Sequence, residues 1–220
     1  MDALQGLIDV DTDLFLSINR MHNTFFDYFM SAYSGKWVWV PMYAALLYVM
    51  LRNFSWKVTL MCAIGVALTI TFADQVCATL IRPYVERMRP SNLNNPLSEL
   101  VHIVNNHRGG RYGFPSCHAS NTFGLAFYIF FVFRQKWLTL YMMAWAFLTC
   151  YSRVYLGVHY PGDLLAGTIV GAIGAYLMYR LFMLVSGYKQ AKQVKEAYAP
   201  ILIGVLTIVG MLVYAVISCC

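Results

Sequence analysis

Three short clusters hold the residue types that could move a phosphoryl group: Arg82-x6-Arg89-Pro90, Pro115-Ser116-Cys117-His118 and Ser152-Arg153-x5-His159-x3-Asp163. Arginine is always charged, and its planar fork matches phosphate oxygens two at a time. Arg82, Arg89 and Arg153, brought to one place, would therefore favour an anion. Ser116, Cys117 and His118 precede an apolar run, so they are expected at a helix start. Free backbone N–H groups and the helix dipole there also favour phosphate. His159 stands four residues before Asp163, with Pro161, a favoured early-helix residue, between them. If helical geometry reaches back to His159, the carboxylate can hold one imidazole nitrogen and leave the other as an oriented nucleophile. His118 supplies a second imidazole to protonate a leaving oxygen. Cation clamp, nucleophile, orienting acid and proton donor make a phosphoryl-transfer site with no metal or cofactor expected.

These groups need elements to carry them, and the composition says where those elements lie. Hydrophobic residues make up 60% of the 220 residues and charged residues 12%. Soluble domains hold roughly 45–50% and about 25%. Mean hydropathy is +0.57. There is too little polar side chain to cover a soluble globule, so most of the surface is expected to face lipid. The fold class predicted is an all-α integral membrane bundle forming one domain over residues 1–220. Six runs approach the roughly 20 apolar residues of a spanning helix: Trp37 to Leu51, Val58 to Ile81, Ser120 to Phe133, Trp137 to Leu156, Leu164 to Val185 and Pro200 to Ser218. The first and third are short and are expected to extend into flanking polar residues. Gly167-x-x-x-Gly171 has the spacing of close helix contacts, although glycine is frequent in spans anyway.

Before the first run, Leu4, Leu7, Ile8, Leu14, Phe15 and Ile18 recur at helical spacing among Asp9, Asp11 and Asp13. Residues 1–35 are read as one or two amphipathic helices at the membrane surface. The acidic start, with Asp2 as well, argues against a cleaved signal peptide.

Net charge is +6, with a sequence pI of about 9.0. In a chain of this composition that balance does not imply nucleic acid. Loop cations follow from the positive-inside bias. If the runs alternate, Arg52, Lys57, Arg134, Lys136, Lys189, Lys192 and Lys195 share one side, which is then cytoplasmic. The opposite side also carries arginines, namely Arg82, Arg87, Arg89, Arg108, Arg111 and Arg153. Topology does not account for these, whereas a phosphate receptor on that face does.

In type, order and spacing, the three clusters resemble the signature motifs of the type 2 phosphatidic acid phosphatase superfamily of membrane lipid phosphatases: K-x6-R-P, P-S-G-H and S-R-x5-H-x3-D. Two positions depart from that pattern. Arg82 stands where Lys is usual, which keeps the charge. Cys117 stands where Gly is usual, which matters only if a positive φ is required there. The resemblance implies that Arg82, Arg89 and Arg153 hold phosphate oxygens, helped by Ser116 and the N–H groups of Cys117 and His118. It implies that His159 attacks phosphorus to form a phosphohistidine, that Asp163 orients it, and that His118 protonates the departing oxygen. Ser152 is a motif member without a defined role. The implied substrate is a membrane lipid phosphate or diphosphate: undecaprenyl diphosphate, phosphatidylglycerophosphate, phosphatidic acid or lipid A. The lack of a signal peptide or large extra domain suits a bacterial inner membrane, and the charge pattern puts the site on the side away from the cytoplasm.

Other residues have plainer readings. Singly, Arg82 and Arg89 would pass as interfacial anchors and Asp163 as a helix N-terminal acid. His22 reads as interfacial, and His102 and His107 as loop residues with substrate contact as a second option. Arg108-Gly109-Gly110-Arg111 is not a phosphate-binding Gly-loop signature and is not assigned to the site. Asp74 lies inside the second apolar run, where acids are costly; a structural partner such as Gln75 is the reading favoured. The six cysteines, including Cys219 and Cys220, show no C-x-x-C pair, so neither a disulfide framework nor a zinc site is expected. Competing functions are a soluble-type vanadate haloperoxidase, against which the apolar runs count, and a lipid or anion transporter or non-catalytic lipid-binding protein. A transporter would place ionisable groups near mid-membrane, whereas here they gather at one edge. Nothing in the sequence specifies an oligomeric state.

Overall fold

A computed structural model describes residues 3–188 and 194–219. Asp2, Lys189, Lys192 and Cys220 lie outside the described residues. The fold is all-helical, and no strand occurs among the described residues. The amphipathic start forms two helices, α1 (Ala3–Asn19) and α2 (Thr24–Tyr33). A 3₁₀ turn over Trp37–Trp39 leads into α3 (Val40–Asn53). Then come α4 (Trp56–Val85), α5 (Cys117–Phe133), α6 (Lys136–Tyr155), α7 (Pro161–Ser186) and α8 (Ala199–Cys219). Each expected apolar run thus falls on a helix, and the third begins three residues earlier than the apolar run, at Cys117.

By length and composition, α4, α7 and α8 suffice to cross a membrane. α5 is apolar but shorter, at 17 residues, or about 25 Å. α3 has 14 residues, about 21 Å, and extends through its 3₁₀ turn. The protein is an integral membrane helical bundle.

α5 is the central helix. Leu125, Ala126, Tyr128, Ile129, Val132 and Phe133 are buried along it. It packs most extensively on α7, with α4 and α6 on its other sides. The α5–α7 approach depends on Gly167 and Gly171: a Cβ on either would run into the backbone of Ser116 or Ser120. Those glycines therefore let the N-termini of α5 and α7 meet, and the Ser116 N–H donates to the Asp163 carbonyl at 2.9 Å.

At one end of the bundle, Asn53 exchanges hydrogen bonds with the Lys195 backbone. The cationic 52–57 turn and the 194–198 segment thus share that end. At the other end lie the starts of α5 and α7 and the helix α1. Asn19 is fully buried there, donating to the Tyr155 and His102 carbonyls and accepting the His102 N–H. Leu4, Leu7, Val10 and Leu14 of α1 face outward. The apolar stripe read from the sequence is therefore split between the protein and the outside.

Candidate active site

Arg82 is aimed by an irregular helix end. Residues Val76–Ile81 of α4 form a π-helical turn, and the Arg82 N–H bonds the Cys77 carbonyl five residues back. Pro83 supplies the reason. It lacks an N–H, and its ring would strike the Thr79 carbonyl in a regular helix; a widened turn removes that clash. The Arg82 guanidinium then donates to the Pro115 carbonyl at 2.9 Å and to Cys117 Sγ at 3.1 Å. Its Nε is buried without a partner among the described residues. Cys117, which replaces the usual glycine, has no positive φ. Its backbone is ordinary helix, and its thiol steadies Arg82. Ser116 caps α5 by accepting the Ala119 N–H.

Arg89 and Asp163 hold His159 from opposite sides. Nδ1 of His159 lies 3.2 Å from Asp163 Oδ2, and Nε2 lies 2.8 Å from Arg89 Nη1. A guanidinium only donates, so Nε2 must accept. The proton is therefore on Nδ1, directed at the carboxylate, and Nε2 carries the lone pair. Arg89 is fixed in turn by the Tyr112 and Val158 carbonyls. Burial, with the charge of Arg82 next, brings its guanidinium down to about 10, still cationic at neutral pH. His159 is 1% exposed. Burial, followed by the charges of Arg89, Arg153 and Arg82, holds its imidazole well below the ordinary 6.5. An unfolded chain would take up this proton near pH 6.5 while the folded one does not. Its contribution to stability is thus lost as pH falls below that value. In histidine-labelled protein, the resonance missing from His159→Gln is expected not to titrate between pH 5 and 8. A midpoint near 6.5 for that resonance would refute the description of Nε2.

Two further groups serve this site that the sequence reading did not single out. Arg87 Nη1 bridges Asp163 Oδ1 at 3.1 Å and Asp11 Oδ2 of α1 at 2.7 Å. Asp11 also accepts the Gly162 N–H at 2.7 Å. The guanidinium lies 3.9 Å over the Tyr160 ring. Asp163 itself is fully buried and accepts the Tyr160 N–H, closing the first turn of α7. Gly113 lies so close that a Cβ there would sit 2.9 Å from Asp163 Oδ2. Arg87→Ala is expected to lower kcat by about 10²-fold, the scale of a misplaced catalytic group. KM should stay within a few-fold. Adding Asp11→Ala should cost little more, because both act through one carboxylate. Full additivity in the double variant would show that the bridge does not work as one unit.

Arg153, buried in the last turn of α6, donates to Ser34 Oγ, and its Nε has no partner among the described residues. Ser152 turns away and donates to the Thr149 carbonyl of its own helix at 2.6 Å. On one side of the Arg153–Ser34 bond is a pocket of about 360 Å³ that includes His107 and Asn105. On the other is a chamber of about 680 Å³ between α3, α4, α5 and α6. His118 and Cys117 form its upper end, and Leu46, Met50, Val66 and Leu125 line its depth. His118 is within electrostatic reach of Arg153 and His159. Asp74 opens onto this chamber rather than onto Gln75, and makes no hydrogen bond or ion pair among the described residues. His102 is tied elsewhere, 2.9 Å from Asp27 and stacked on His22. Arg108 pairs back to Ser91, while Gly109 borders Arg89. Among the described residues, no three His, Cys, Asp or Glu side chains converge as a metal-binding group.

The arrangement is a cluster of arginines around an acceptor nitrogen, next to a largely apolar chamber. The profile of the PAP2 superfamily matches residues 60–186. The chain belongs to the PAP2 superfamily. This PAP2 protein is therefore an enzyme that hydrolyses phosphate esters, a lipid phosphatase. It is 47% identical over 223 residues to a lipid A 4′-phosphatase of Bacteroides thetaiotaomicron, covering 98% of this chain and 99% of that protein. It is 32% identical over 180 residues to a lipid A 4′-phosphatase of Porphyromonas gingivalis, covering 82% and 76%. It is 30% identical over 154 residues to an undecaprenyl-diphosphatase of Sulfolobus acidocaldarius, covering 70% and 68%. No solved structure matches this PAP2 protein significantly.

Proposed function

We propose that this protein removes the 4′-phosphate of lipid A, without a metal, through a covalent phosphohistidine. The observation that carries the chemistry is the donor-only contact of Arg89 with His159 Nε2. It fixes a lone pair on the nitrogen that must attack. In this reading the phosphate oxygens draw Arg89 off Nε2 and take its hydrogen bond, together with those of Arg82 and Arg153. Their buried, unpartnered Nε atoms support that role. Ser116 and the N–H groups of Cys117 and His118 add to the same cradle. His159 Nε2 then attacks phosphorus while the ester P–O bond breaks. His118, which must take up a proton as the phosphate dianion enters among the arginines, gives that proton to the departing alcohol oxygen and later takes one from the water that cleaves the P–N bond. Asp163 keeps the proton on Nδ1 and offsets the positive charge of the phosphorylated ring.

The choice of lipid A is supported by the relative that matches almost the whole chain at 47% identity. The chamber beside His118 supports a lipid leaving group, since its walls are apolar. The charge pattern of the connections supports a site on the periplasmic face of a bacterial inner membrane. The test is phosphate release by the purified full chain from four lipids in EDTA: lipid A, undecaprenyl diphosphate, phosphatidylglycerophosphate and phosphatidic acid. Release is expected from lipid A above the others. No release from any lipid would sink the reading. Activity lost in EDTA and restored by a divalent metal would sink the mechanism. A preference for the prenyl diphosphate would reassign the substrate.

A further inference from the structure

The chamber is mostly apolar, and two of the polar side chains near its upper end have oxygens without a hydrogen bond among the described residues. The Asn121 side-chain oxygen is buried without a partner among the described residues. Asp74 faces the same space and has no hydrogen bond or ion pair among the described residues. Buried acceptors are normally satisfied, so the Asn121 oxygen asks for an explanation, and Asp74, half-buried, turns its carboxylate to the same space. Their levels in the bundle coincide. Asn121 lies one turn below His118 on α5, and residues three apart share a helix face. Asp74 lies one turn below Cys77 on α4, and the Cys77 thiol meets Cys117. The carboxylate also acts electrostatically on Cys117. The two acceptors therefore flank the chamber about 5 Å beneath the leaving-oxygen acid.

We infer that Asp74 and Asn121 determine specificity by accepting hydrogen bonds from N–H or O–H groups of the leaving alcohol. This inference rests on the lipid phosphatase reading and narrows its substrate class. A sugar bearing an amide or a free hydroxyl near the phosphate ester presents such donors at about this distance. A polyprenyl chain has none, and neither does the diester backbone of phosphatidic acid. A bound leaving group without a donor would cover both side chains and leave them unpaired, which is how a polar site rejects an analogue. The substrate class selected is an acylated amino-sugar phosphate.

The test compares lipid A with phosphatidic acid as substrates for the full chain in one detergent preparation. Asp74→Leu and Asn121→Leu, close in volume to the originals, are each expected to lower the ratio of the two kcat/KM values at least tenfold. Because the ratio is read within one sample, partial unfolding does not mimic the effect. Asp74→Leu should also raise Tm, since it removes an unpaired acid from an apolar wall; an acid with a structural partner would lower it. Equal losses on both lipids, or an unchanged ratio, would overturn the role given to the pair. Absence of wild-type turnover of lipid A would instead overturn the substrate reading above, and this inference with it.

Discussion

His159→Gln is expected to lower phosphate release by about 10⁴-fold or more, the usual scale for removing a nucleophile. Glutamine keeps a polar side chain of similar reach but has no nitrogen lone pair to attack with. The Arg89 contact at Nε2 would become a donor–acceptor pair with the amide oxygen, so the cationic pocket should survive. Binding of inorganic phosphate is therefore expected to remain within about tenfold of wild type, separating loss of chemistry from loss of the site. A positive result accompanies the loss. Brief reaction with ³²P-labelled lipid should leave base-stable, acid-labile label on the wild-type protein, and none on His159→Gln. In His118→Ala that label should form more slowly, because the departing oxygen loses its acid, and once formed should persist longer than in wild type, because the water that cleaves the P–N bond loses its base. Activity of His159→Gln within tenfold of wild type would end the covalent assignment.

Asp163→Asn is expected to cost about 10³-fold in kcat, by analogy with triads that lose their orienting carboxylate. Three donors converge on this side chain: His159 Nδ1–H, the Tyr160 N–H and Arg87. A carboxylate accepts from all three. An amide has one oxygen, so at least one donor would face its NH₂ group. The proton then has less reason to stay on Nδ1, and Nε2 is no longer reliably the lone-pair nitrogen. The negative charge that offsets the phosphorylated ring is lost as well. Phosphate binding should be equal or tighter, because a fixed negative charge is gone from beside the anion site. A fall in kcat with weaker phosphate binding would point to collapse of the pocket instead, and a fall of less than tenfold would remove Asp163 from the orienting role.

Much of this site was legible because its key relations are local in sequence. His159 and Asp163 are one helical turn apart, so their contact needs only a helix start between them. Ser116 stands before an apolar run, and a helix cap follows directly. The long-range relations were not legible. Arg87 meets Asp163 across 76 residues, and Asp11 meets Gly162 across 151. Among so many arginines on one side, nothing marked Arg87 as the one that braces the acid. Gly113 is equally silent, because its importance comes from how near the chain passes to the carboxylate. The π turn was foreshadowed by Arg82-Pro83, since a proline at a helix end must be accommodated somehow. The chamber arises from helices that stand apart, and an apolar pattern does not say how far apart two helices stand. Asp74 shows the same limit: its position inside a span was plain, but not whether a partner would be waiting.

The bond from Asp11 to Arg87 has a consequence for how such enzymes diverge. The segment shared across the superfamily, residues 60–186, contains every member of the three clusters. Asp11, Ser34 and the α3 wall of the chamber fall before it. The three clusters thus lie within the matched stretch, while part of what braces Asp163 and Arg153 lies ahead of it. A change at Asp11 or Ser34 therefore reaches Asp163 or Arg153 without altering any member of the three clusters.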